Sequence, residues 1–199
     1  MSEVKEPIWT KDFMIVSVIN LISLLILFLL MVTIPSYAVE TYGVSTSIAG
    51  LVSSIFIIGT LVGRLGAGSL IGSMGPQKIL LIGLIGLVIM SALYLVELGV
   101  DYLLAIRLLQ GIAVGTIGTA TSTIIASILP ASRKGEGIGY FSLTAILATA
   151  IGPFIGMFMM KLENGFDVIF YFNIMISVVM LVGFFFAKIT ITMKKADAK

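Results

Sequence analysis

The sequence predicts an all-α membrane protein: six transmembrane helices in one bundle, with N- and C-termini cytoplasmic. Composition, the spacing of the charges and the side on which basic residues fall all point this way. Of 199 residues, 59% are hydrophobic and 11% charged, and the mean hydropathy is +1.18. A water-facing surface needs more polar residues than that. The charged residues gather in short clusters between long uncharged runs, as in a chain solvated by lipid.

The apolar runs cover 13–34, 48–71, 79–96, 102–129, 138–160 and 168–187, interrupted only by Arg64 in the second and Arg107 in the fourth. Each is long enough to cross about 30 Å of hydrocarbon as a helix. Helix is the open-chain solution in lipid, because every backbone N–H and C=O must pair within its own segment. Alternating polarity, the mark of a membrane β-barrel, is absent from these runs. The first run is too long for a signal h-region and has no small-x-small site after it, so it is expected to remain in the protein. Pro35 and Ser36 are expected to end its helix.

Residues 1–12 form a short N-terminal segment and 188–199 a basic tail suited to anionic headgroups. With the N-terminus inside, the cytoplasmic segments hold Lys5, Lys11, Lys78, Arg133, Lys134, Lys188, Lys194, Lys195 and Lys199. The outer segments hold only Lys161, beside Glu40, Glu97, Asp101, Glu163 and Asp167. This asymmetry sets the orientation, and Arg64 can snorkel to the basic side. Tyr37, Tyr42, Tyr94, Tyr102 and Tyr171 fall near the outer interface, and Trp9 and Tyr140 near the inner one. The expected location is the cell membrane.

There is no cysteine and no histidine, which removes disulfides, zinc sites and imidazole chemistry. No cofactor or metal is expected. The net charge of +2 is too small to argue for nucleic acid. An intramembrane enzyme is disfavoured, since no buried carboxylate is available for acid–base work.

Small residues recur at four-residue spacing: Gly59, Gly63 and Ala67, then Gly68 and Gly72, in the second span; Gly111, Gly115, Thr119 and Thr123 in the fourth; Ala148, Gly152 and Gly156 in the fifth. Such stripes let helix backbones approach closely in lipid, and thin faces also let helices rock. The matching stripes of the second and fifth spans are those expected of a 3+3 inverted repeat.

Arg107 lies about 8 Å inside the outer boundary at ~1.5 Å per residue, where a charge is costly unless paired or watered. Two readings stand side by side. It reaches outward to Asp101 or Glu97, or it faces a cavity and bonds to first-helix carbonyls or to Glu40. Pro153, after Gly152, marks a bend that suits either a gate or a static kink. Asn20, Ser23, Thr33, Thr144 and Thr149 either line a polar path or bond to their own backbone.

Together these motifs resemble the major facilitator superfamily, in particular its bacterial drug:proton antiporters. Arg107, Gln110, Gly111 and Gly115 match the spacing RxxQGxxxG, which the resemblance implicates in proton coupling. Gly152, Pro153 and Gly156 resemble the antiporter GPxxGG motif, with Met157 in place of its last glycine. Gly68, Gly72, Gly75 and Lys78 resemble the cytoplasmic GxxxDRxGRR loop, but Gly72 and Ser73 stand where its acidic and basic residues belong. The stretch 130–137 is similar to the family's central loop.

The resemblance covers the whole chain but only the first half of a fold with two six-helix bundles. It implies proton-coupled efflux of small amphipathic or hydrophobic compounds through a wall of the first, second, fourth and fifth helices. Glu40 is the nearest candidate proton carrier. A second bundle, from a homodimer or another chain, is the expected partner. The alternative is a truncated or regulatory half that pairs with another membrane protein.

Overall fold

The computed structural model describes residues 6–187, and the basic tail 188–199 lies outside them. Six helices follow one another: α1 (Lys11–Tyr42), α2 (Thr46–Met74), α3 (Pro76–Leu93), α4 (Val100–Ile128), α5 (Lys134–Met159) and α6 (Gly165–Phe186). A short 3-10 turn, Ala131–Arg133, precedes α5. There is no strand among the described residues. All six helices are long and apolar enough to cross a membrane.

Local chemistry sets the ends. Thr10 Oγ1 accepts the Phe13 N–H at 3.2 Å to start α1, and Ser45 Oγ accepts that of Ile48 at 3.4 Å to start α2. Gly43, at φ 62°, closes α1 through its N–H to the Val39 carbonyl. Gly75, at φ 83°, forms the joint before Pro76, the first residue of α3.

One sequence expectation is corrected here. Pro35 does not end α1, which continues to Tyr42. Proline removes one donor, but Ile34, Tyr37 and Ala38 are buried against the bundle, and their packing outweighs one missing bond.

The broadest helix contacts are α2 with α4 and α1 with α5. Exchanging α1 with α4, α2 with α5 and α3 with α6 turns one pair into the other, the relation expected of two inverted triplets. At α2–α4 backbone meets backbone. A Cβ on Gly59 would strike the Leu108 carbonyl, and one on Gly63 that of Ile112; from the other side, Gly111 abuts the Phe56 carbonyl and Gly115 that of Thr60. At α1–α5, Gly152 sits against Phe28 and Leu25, and Gly156 against Thr33 and Leu29. Pro153 lies within an α5 that runs unbroken from Lys134 to Met159. Gly68 and Gly72 are exposed, and a methyl group at either would meet nothing within 4 Å. Their stripe packs on no helix among the described residues.

The α3–α6 pair lies at the back, joined by Ser91 Oγ and Ser177 Oγ at 3.1 Å. At one end of the bundle the Tyr37 ring meets Tyr42, Phe166 and Phe170, and its hydroxyl donates to Glu97 at 3.2 Å. At the other end Ile8 is buried and Trp9 packs on Tyr140 with centroids 5.0 Å apart. There Arg133 donates to both Glu136 oxygens, at 2.9 and 2.8 Å, and to the Glu6 carbonyl at 2.9 Å. The Glu136 bonds push the Arg133 guanidinium above its ordinary pKa.

Candidate functional site

The front of the bundle, between α1, α2, α4 and α5, is a groove made of two adjoining hollows of about 480 and 500 Å³. The first is mostly apolar, lined among others by Phe28, Met31, Phe56 and Ile57, with Arg107 at its margin. The second is rich in hydroxyls, among them Thr119, Ser122, Thr123 and Ser142. Leu27, Thr60 and Arg64 border both.

Arg107 is 0% exposed. Its Nε donates to the Val52 carbonyl at 3.3 Å and its Nη1 to Gln110 Oε1 at 2.9 Å. The guanidinium carbon lies 4.4 Å from the centre of the Phe56 ring, a contact worth about 2 kcal/mol when desolvated. Neither sequence reading of its partners holds. The carbonyl it uses belongs to α2, not α1, and it bonds to none of Asp101, Glu97 and Glu40. The reason is local. The glycine contacts draw α2 so close to α4 that the Val52 carbonyl and the Phe56 ring come within reach, whereas Glu40 and Glu97 are exposed near the helix ends.

Gln110 is also fully buried, and its Oε1 accepts a second bond from the Tyr94 hydroxyl at 2.7 Å. Arg107 Nη2 and Gln110 Nε2 are buried without a partner among the described residues. A guanidinium is thus held in a buried site by a carbonyl, an amide oxygen and a ring face, with no carboxylate beside it among the described residues. Such a charge is poised to respond to any anion or proton-carrying group brought near.

Asn20 joins three helices. Its Nδ2 donates to Thr144 Oγ1 of α5 at 2.8 Å, and its Oδ1 accepts from Thr121 Oγ1 of α4 at 3.1 Å. Of the other hydroxyls singled out, Ser23 bonds to the Asn20 carbonyl, Thr33 to that of Leu29 and Thr149 to that of Ala145. They serve their own helices. Glu40 stands apart from Arg107, exposed in a separate hollow with Pro35, Ser36 and Thr46.

The structure therefore brings Arg107, Gln110, Gly111 and Gly115 together with α2, places Asn20 and Arg64 on the groove, and leaves Glu40, Gly68, Gly72 and Gly75 away from it. Val52, Phe56, Tyr94 and Thr121 carry no such signal in the sequence. Only their three-dimensional neighbours mark them, and Tyr94 reads in sequence as an interfacial aromatic.

Comparison with known proteins identifies the family. A family model described as Major Facilitator Superfamily matches residues 16–198. An uncharacterized MFS-type transporter of Mycobacterium tuberculosis is 30% identical over 131 residues, 66% of this chain and 22% of that protein. The staphylopine export protein of Staphylococcus aureus is 24% identical over 78% of this chain and 38% of its own length. Multidrug resistance protein 3 of Bacillus subtilis is 27% identical over 65% of this chain and 25% of its own. The chain thus spans well under half the length of these relatives.

Proposed function

The chain belongs to the major facilitator superfamily, and from that premise we propose that it is one six-helix bundle of a secondary transporter that exports small amphipathic or hydrophobic compounds against an inward flow of protons. The observation that carries this reading is the groove between α1, α2, α4 and α5, open on one side and flanked by a fully buried arginine with no counter-ion among the described residues. A single wall cannot alternate access, so a second six-helix bundle completes the path. Relatives named as an exporter and a multidrug resistance protein support the direction of transport. The cell membrane is the site of action, with both termini in the cytoplasm on the strength of the basic residues at that end.

Among the described residues, no acidic one lines either hollow. The proton carrier therefore belongs to the second bundle, and Arg107 senses it through the groove. The test is proton flux into proteoliposomes on addition of a panel of amphiphiles, after the mass of the purified assembly has been measured in detergent. Arg107→Lys should lower that flux at least about tenfold while insertion stays normal, because one ammonium cannot replace both guanidinium bonds and the stacking on Phe56. Unchanged flux would reduce Arg107 to a packing role. Flux in neither protein, from an assembly holding two bundles, would overturn the transport reading.

A further inference from the structure

Arg64 lies four residues past Thr60 near the centre of α2, so it stands about 6 Å along the axis from mid-helix at ~1.5 Å per residue. It is exposed, borders both hollows and has no hydrogen-bond or ion-pair partner among the described residues. The hydroxyls around it are already committed. Thr60 donates to the Phe56 carbonyl, Thr119 to that of Gly115, Ser122 to that of Gly118, Thr123 to that of Thr119 and Ser142 to that of Ile138. Asn20 gives its amide to Thr144. The exposed donors left free on the groove are thus those of the Arg64 guanidinium, since Arg107, whose Nη2 is also unpartnered, is fully buried at the margin.

Among the described residues, the two hollows together hold two arginines and no carboxylate. In a low-dielectric groove that imbalance repels cations and attracts anions. A guanidinium offers a planar fork that fits a carboxylate or phosphate with two bonds. Next to it lies the apolar hollow of Phe28, Met31, Phe56 and Ile57, whose volume of about 480 Å³ has room for a short hydrocarbon body.

We propose that the groove selects anionic amphiphiles, with Arg64 binding a carboxylate or phosphate head and the Phe56 side of the groove receiving the apolar body. This rests on the transport reading for its purpose, but it concerns binding and is tested by binding. The assigned class is narrower than amphipathic compounds in general, because this wall of the groove offers an organic cation no carboxylate.

The experiment uses the protein in lipid nanodiscs with a photoactivatable diazirine derivative of octanoate, cross-linked sites being mapped by mass spectrometry. Labelling is expected in segments 20–31, 53–64 and 114–123. Excess octanoate or octyl phosphate should suppress it at about tenfold lower concentration than octanol, the gain of a charge-assisted over an uncharged contact, and octylammonium should not suppress it. Arg64→Gln should abolish the suppressible labelling and Arg64→Lys should retain part of it. Equal suppression by all three head-group charges would overturn the proposal, and this arm needs no variant. Labelling of Arg64→Gln that matches the wild type would overturn the role of Arg64, as would a native mass or cross-link showing Arg64 paired with a carboxylate of a second bundle. Selective binding without proton flux would leave this inference standing while the transport reading fell.

Discussion

Arg107 Nη1 and Gln110 Oε1 lie 2.9 Å apart within one turn of α4, and the same amide oxygen is the acceptor for Tyr94. Two donors converge on one neutral acceptor, and one of them carries a full charge. The site therefore has more positive charge than it has acceptors to balance.

Gln110→Glu would place an anion where the amide stands, in nearly the same shape. Both existing donors keep their acceptor, and the unpartnered Nε2 becomes an oxygen that accepts hydrogen bonds. The variant should be more resistant to heat by about 1.5–3 kcal/mol, the scale of hydrogen bonds to charged groups. Thermal unfolding in detergent, followed by size-exclusion chromatography, measures it. A lowered midpoint would mean that the guanidinium is balanced by something other than Gln110.

Gly111→Ala puts a methyl group into the Phe56 carbonyl. Two backbones cannot repack as a side chain can, so the helices must separate, at a cost of about 1–3 kcal/mol or more. Gly183→Ala, in a position with nothing within 4 Å, should leave the melting temperature within error. Equal behaviour of the two variants would show that α2 and α4 do not meet through Gly111.

Asn20→Leu removes two interhelical bonds, yet its effect should be small. Thr144 still donates to the Phe141 carbonyl, and Thr121 to that of Ile117, so neither hydroxyl is stranded. Bonds between membrane helices average about 0.6 kcal/mol, and a loss of about 1 kcal/mol is expected in the same unfolding assay. A loss several times larger would make Asn20 the pin of the three helices.

Orientation can be read directly, because the chain has no cysteine of its own. Arg133→Cys and Glu163→Cys, each alone, should react with an impermeant maleimide from opposite sides, Glu163→Cys from outside intact cells. Reaction of both from one side would remove the six-span topology.

Sequence alone made the six spans legible, because hydropathy is a one-dimensional property and lipid demands it. It misjudged Pro35, since the rule that proline ends a helix weighs one lost bond and not the burial of Ile34, Tyr37 and Ala38 around it. The glycine stripes were visible as periodicity. That the stripes of α2 and α4 face one another, with α3 between them in the chain, was not. The depth of Arg107 could be counted along the chain, but its partner Val52 lies 55 positions away and contributes only a backbone oxygen, which has no sequence signature. Arg64 read as a charge escaping to the interface, and only the shape of the groove gives it another use.

The clamp at the foot of α5 has a practical consequence. Ile8 sits in an apolar seat while Arg133 grips the Glu6 carbonyl, so the polypeptide enters α1 from a fixed point. Shortening the protein to start at Thr10 would open that seat to water and release the guanidinium from one of its acceptors. Trimming residues 1–9 would thereby loosen α1 from α5.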